Sequence, residues 1–209
     1  MQCLPLDQVP EFERRLFNTW SSKSWTKRRD ALALSLCLMG LRWEEVSRAL
    51  VCDVGADGTL WVRTAKKGTP RRLPIGEGLC SALRDLVANS ATSSIVRRRS
   101  HQRLFFTKSG SPLAYTALCR TCKLWTEKVF RQPFTLHCLR HTCAARVYRA
   151  TRDVLAVQRI LGHVSLRSTA YYLSKLEVVS IEGLPAFATG NQRPTLRLFD
   201  PEGLMVRRA

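Results

Sequence analysis

Thirty-four Lys and Arg against sixteen Asp and Glu give this 209-residue chain a formal charge of +18, enough to hold a polyphosphate by counterion release with little help from base contacts. The length suits one core with a tail, and no apolar run reaches the ~20 residues that a membrane-spanning helix needs. No leader-peptide pattern opens the chain, so its eight cysteines are read as the reduced thiols of a cytoplasmic protein rather than as a disulfide framework.

Apolar spacing predicts helices near Pro10–Trp20, Thr26–Met39 and Trp43–Leu50. Gly40 ends the second, and Arg42 opens the third with Glu45 one turn on, placed to hold its guanidinium. An alternating strand Thr59–Thr64, a turn at Gly68-Thr69-Pro70 and a return strand Arg71–Ile75 read as a hairpin with Lys66 at its tip. A helix near Gly78–Asn89 follows. The run Ile95 to Arg103, with Arg97, Arg98, Arg99 and Arg103, reads as an exposed loop contacting phosphates. Then come a short strand Leu104–Thr107 and helices near Ala114–Phe130, Leu136–Ala150, Asp153–Leu161 and Leu166–Ser174. From Lys175 onward, Gly183, Pro185, Gly190, Pro194, Pro201 and Gly203 break any long element. The expected class is mainly α (α+β), a helical fold with one small antiparallel hairpin.

Chemistry concentrates in TLHCLRHT and ILGHVSLRSTAYY. Thr135 caps a helix on which His137 and Arg140, three apart, share a face. Gly162 ends the next helix, His163 sits in the connection, and Ser165 caps a helix carrying Tyr171 and Tyr172. A guanidinium, two imidazoles and a phenol suit phosphodiester chemistry, because a planar fork of N–H donors stabilises charge on non-bridging oxygens better than a point charge does. Arg42 offers a second fork and Lys66 a proton donor. No GxxxxGK[ST] loop is present.

The cysteines permit another reading. Cys119-x-x-Cys122 followed by His137-x-x-x-His141 meets a loose zinc spacing, but the stretch between reads as helix, Gln132-Pro133 break and helix, so no metal is expected. Cys37, Cys52 and Cys143 sit among apolar residues and read as small core fillers, and His141 as a hydrogen-bonded core group.

GLRWEEV, AKKGTPRRLPI, HCLRHT and LGHVSLRSTAYY, in this order and at these separations, resemble the four signature blocks of the tyrosine recombinase (phage integrase) family, over roughly Met39 to Ser174. The resemblance implies the fold of that family's catalytic domain and a site-specific DNA recombinase that cleaves and rejoins strands through a 3′-phosphotyrosyl link, with no cofactor. Arg42 and Arg140 would hold the scissile phosphate, His137 and Lys66 would transfer protons, His163 would support the transition state and Tyr172 would attack, with Glu45 and His141 behind them. Family spacing selects Tyr172 over Tyr171, while Lys66 and Lys67 remain alternatives. The resemblance further implies double-stranded DNA as partner, association with the nucleoid, and a homo-tetramer or a mixed assembly with a second recombinase. Residues 1–174 would be the catalytic domain and 175–209 a tail exchanged between protomers. The family's helical core-binding domain has no counterpart before Arg42, as in minimal, catalytic-domain-only recombinases. A non-catalytic DNA-binding homologue and a type IB topoisomerase-like relaxing enzyme are the alternatives.

Overall fold

The computed structural model describes residues 3–63, 68–88 and 102–175, with the side chains of residues 168, 171, 172 and 175 excepted. Its helices are α1 (Val9–Trp20), α2 (Trp25–Leu38), α3 (Trp43–Arg48), α4 (Glu77–Ala88), α5 (Tyr115–Phe130), α6 (Leu136–Thr151), α7 (Val154–Leu161) and α8 (Leu166–Lys175). Strands β1 (Thr59–Val62) and β2 (Arg71–Pro74) pair antiparallel, with Leu60 opposite Leu73 and Val62 opposite Arg71. Among the described residues the molecule is therefore mainly helical with one small two-stranded antiparallel sheet, as its periodicity predicts.

Helix α2 is the axis of the core. Every residue from Arg29 to Leu38 is buried, which is how a helix reads when it is enclosed on all sides rather than amphipathic. Helices α1, α4, α5 and α6 pack around it. Three polar residues survive this burial because each is satisfied: Ser35 donates to the Ala31 carbonyl at 2.9 Å and accepts from Trp20 Nε1 at 3.1 Å. The Arg29 guanidinium donates to Asp30 Oδ1 at 2.6 and 2.8 Å and to the Phe106 carbonyl at 3.0 Å, while Thr121 donates to Asp30 Oδ2 at 3.2 Å. Arg146 of α6 pairs with Glu13 of α1, tying the outer helix to the core.

Local chemistry sets the corners. Ser24, Thr135 and Asp153 cap α2, α6 and α7, each accepting from a backbone N–H of the first turn. Gly40 and Gly162 turn the chain after α2 and α7 with φ of +96° and +65°, conformations that glycine adopts without steric penalty. Both are also close approaches. A Cβ at Gly40 would lie 3.0 Å from Cys143 Sγ and from Leu161 Cδ2, and one at Gly162 would lie 2.5 Å from Arg71 Nη1.

Two expectations need correction. Leu104–Thr107 is not a strand but a segment with single bridges from Arg103 to Leu50 and from Phe106 to Pro112. Proline has no N–H to extend that ladder. Cys52 is exposed, whereas Cys37 and Cys143 are buried. The short 3-10 turn Val51–Asp53 sends Asp53 inward instead, where it accepts from the Leu50 N–H at 2.9 Å and from Arg63 Nε at 2.9 and 3.0 Å.

Candidate active site

Three corners of the fold meet around one open cleft of ≈ 330 Å³, lined by Leu41, Arg42, Trp43, Glu44, Tyr115, Leu136, His137 and Arg140. Arg42 and Arg140, about a hundred positions apart in the chain, share it with His137. Arg42 sits at the N-cap of α3, His137 and Arg140 on the first turns of α6. The short glycine corner after α2 sets the first of these, and the Thr135 cap sets the other two.

Arg140 is 2% exposed, and its guanidinium donates to two main-chain carbonyls, Gly40 O and, at 2.8 Å, Leu161 O. These carbonyls precede the two corners that carry Arg42 and His163. Arg140 thus stitches both corners to α6 while lining the cleft. His163, half-buried, is fixed through Nδ1, 3.0 Å from Thr169 Oγ1 on α8, and its backbone carbonyl accepts from Gln158 Nε2 at 3.1 Å.

The electrostatics show that these groups feel one another. Burial, followed by the charges of Arg140, Arg42 and Arg71, pushes His163 down to about 4. His137 lies below the ordinary imidazole value through burial and then the charges of Arg140 and Arg42. His141, packed edge-on against His137 with ring centroids 4.5 Å apart, is pushed down to about 3 by burial, His137 and Arg140. Each of these shifts favours the neutral imidazole.

Glu45 holds more than Arg42. It is 2% exposed, and its main partner is Arg71: Nη1 donates to Oε1 at 2.8 Å and Nη2 to Oε2 at 3.1 Å. The Arg42 backbone N–H donates to Oε2 at 2.8 Å, but the Arg42 guanidinium stands 3.7 Å from Oε1. Arg140 is also 3.7 Å away. Burial raises the Glu45 pKa, yet the Arg71 hydrogen bonds and charge, the Arg42 N–H and Arg140 together hold it below the usual carboxylate range. Glu45 therefore anchors the Arg42 backbone and the Arg71 side chain, and holds the Arg42 guanidinium as a longer ion pair at 3.7 Å.

Arg71 is the residue that sequence reasoning passed over. A signal was available: with Leu73 and Ile75 facing the core, period-2 alternation turns Arg71 inward as well, and the burial pattern of β2 shows it. Trp43 and Tyr115, whose rings lie 5.8 Å apart, form an aromatic wall of the cleft that no motif announced.

Other expected site residues stand apart or beyond view. Lys66, its alternative Lys67, Arg97, Arg98 and Arg99, the side chains of Tyr171 and Tyr172, and the tail beyond Lys175 lie outside the described residues. The backbone of Tyr172 is on α8, the helix whose Thr169 holds His163. Arg103 is exposed and donates to the Ser47 carbonyl at 2.6 Å. Cys122 donates its thiol to the Phe134 carbonyl at 3.4 Å, and among the described residues no cluster of three or more His, Cys, Asp or Glu is arranged to hold a metal ion. No helix among them is long and apolar enough to cross a membrane.

A model of the phage integrase family matches residues 9–177. The chain belongs to the phage integrase family. Among family members, the tyrosine recombinase XerD of Halalkalibacterium halodurans is 27% identical over 166 residues, covering 78% of this chain and 55% of the relative. Tyrosine recombinase XerC 2 of Ralstonia nicotianae is 30% identical over 180 residues, 85% of this chain and 50% of the relative. The crystal structure of the XerH site-specific recombinase bound to its difH substrate, a pre-cleavage complex, shares the fold with a TM-score of 0.65 at 20% identity, over 82% of this chain and 50% of that one. This integrase-family chain thus spans about half the length of the curated relatives it matches.

Proposed function

We propose that this chain is a tyrosine-type site-specific recombinase acting on double-stranded DNA. The observation that carries the reading is the convergence of Arg42, His137 and Arg140 on one cleft, with the His163 corner hydrogen-bonded to Arg140 beside it. Two guanidiniums on one diester neutralise the charge that gathers on its non-bridging oxygens as a nucleophile adds.

In this reading the Tyr172 phenol oxygen attacks phosphorus, forming a phosphotyrosyl bond as the bond to the 5′-oxygen breaks. A free phenol has a pKa of about 10 and needs nearby cations and a proton acceptor. Neutral His137, at the cleft, takes the phenolic proton. Lys66 gives a proton to the departing 5′-oxygen. His163, whose Nδ1 lies 3.0 Å from the Thr169 hydroxyl, supports the transition state from the neighbouring corner. The diester's energy is retained in the covalent link, so a 5′-hydroxyl from a partner strand can reverse the step. Strand exchange needs several protomers on DNA, a homo-tetramer or a mixed assembly with a second recombinase.

The test is a nicked duplex drawn from DNA flanking the gene, in which loss of a short 5′ fragment traps the covalent complex. The wild-type chain forms an adduct stable to denaturation, and Tyr172→Phe forms none while its DNA affinity stays within about threefold. An adduct that persists in Tyr172→Phe, or relaxation of a two-site plasmid without exchanged products, refutes the assignment.

A further inference from the structure

Arg71 is assigned no part in the reaction above, yet its side chain touches both Glu45 beneath Arg42 and the turn that carries His163. It is buried, at 9% exposure, and each arm of its planar fork is used: Nε donates to the Ile160 carbonyl at 2.6 Å while Nη1 and Nη2 grip the two oxygens of Glu45. Gly162 presses against this guanidinium, and the Thr69 N–H donates to the Gly162 carbonyl at 3.4 Å, so the start of β2 is tied twice to the turn that holds His163. Glu45, in turn, holds the Arg42 backbone.

Resting on the recombinase reading, the geometry points to Arg71 as a positioning residue that saturates Glu45 and so leaves the Arg42 guanidinium turned to the scissile phosphate. Glu45 Oε1 has two guanidiniums near it, Arg71 at hydrogen-bonding distance and Arg42 at 3.7 Å. Arg71 wins because it is buried with the carboxylate and meets it fork to fork, which a partly exposed side chain approaching from the cleft does not match. Without Arg71, a buried carboxylate left with the Arg42 N–H at 2.8 Å and two guanidiniums at 3.7 Å draws the more mobile of those cations to itself. That cation is Arg42, and its move strips the diester of one of its two forks. Lysine is a poor substitute, because a single ammonium does not reach both oxygens of Glu45 and the Ile160 carbonyl together.

The experiment measures single-turnover cleavage of the nicked duplex alongside equilibrium DNA binding. Arg71→Gln slows cleavage on the order of 100-fold, the usual consequence of misplacing one catalytic group, with binding little changed. Adding Glu45→Gln removes the competing charge and restores at least about tenfold of that rate, the worth of one charge-assisted hydrogen bond. Arg71→Lys, the milder variant, loses about tenfold by the same reasoning and carries the test if Arg71→Gln fails to fold.

Recovery in the double variant separates this role from simple support of the fold, since two buried substitutions otherwise compound. The inference is overturned if Arg71→Lys and Arg71→Gln cleave as the wild type does, or if the double variant is no faster than Arg71→Gln. Failure of the wild type to form any adduct defeats the recombinase reading and this inference with it; a wild-type adduct with unaltered variants defeats this inference alone.

Discussion

Replacing Gly162 by alanine tests whether the corner after α7 is held by close contact with Arg71. Two separate costs are expected. A left-handed backbone, φ +65°, costs a residue with a Cβ about 1–2 kcal/mol. The new methyl would also meet Arg71 Nη1 at 2.5 Å, its Cζ at 3.0 Å and the Thr69 carbonyl at 3.2 Å, so the guanidinium must retreat and loosen at least one charge-assisted bond to Glu45 or Ile160, worth about 1.5–3 kcal/mol. A gain of about 0.4–1 kcal/mol from the stiffer unfolded chain offsets part of this. The net loss is about 2–4 kcal/mol, or roughly 5–15 °C in Tm for a chain of this size. Gly110→Ala is the control, because Gly110 has φ +82° but nothing within 4 Å of its would-be Cβ, so only the backbone cost applies. Urea unfolding with a shared m-value gives both differences. If Gly162→Ala and Gly110→Ala destabilise equally, contact with Arg71 contributes nothing and the account of this corner is wrong.

Other outcomes follow from single groups. Thr126, fully buried, accepts from the Phe134 N–H at 2.9 Å and donates to the Cys122 carbonyl at 2.8 Å; Thr126→Val strands that N–H and lowers the urea-unfolding free energy by about 1–3 kcal/mol. Glu45 has a folded-state pKa below its unfolded value, so its contribution is complete above the unfolded value and fades as pH falls through the folded one; in urea midpoints measured from pH 6 to pH 3, Glu45→Gln is less stable at pH 6 and the gap narrows on acidification. His163 is depressed to about 4 from 6.5, so it too favours the fold above pH 6.5 and withdraws that support between 6.5 and 4; His163→Gln flattens this part of the same profile. Cys37 and Cys143, buried with thiols pushed up to about 12 and about 11, resist maleimide at pH 7 in the native protein while exposed Cys52 reacts, as peptide mass spectrometry would report.

Helix positions were legible because each depends on a local signal. The caps at Thr135 and the αL turn at Gly162 are written in adjacent residues, and the observed ends of α6 and α7 fall within a residue of those expected. His137 and Arg140 could be placed on one face by spacing alone. What spacing could not supply was the partner of a charged group. Glu45 does pair with Arg42 one turn away, but at 3.7 Å, because a carboxylate only 2% exposed is met more closely by the cation buried with it, and Arg71 arrives from a strand twenty-six positions on. Leu104-Phe105-Phe106 failed for a related reason: three buried apolar residues look like strand, yet strand identity depends on what lies opposite, and here the bridges are single ones, Arg103 to Leu50 before the run and Phe106 to a proline at its end. Cys52 was misplaced because its apolar neighbours gave no hint that Asp53 would take the inward position and pair with Arg63.

The last turn of α7 presents two successive peptide oxygens, those of Ile160 and Leu161, to two different guanidiniums, Arg71 and Arg140. Main-chain acceptors care about helical phase rather than side-chain identity. One residue added or removed between Asp153 and Gly162 would rotate both oxygens by about 100° and unhook both arginines together, so the count of residues in that helix is constrained more tightly than its composition. Engineering of this surface should therefore treat α7 as a spacer of fixed length whose exposed positions, such as Leu155, are open to exchange.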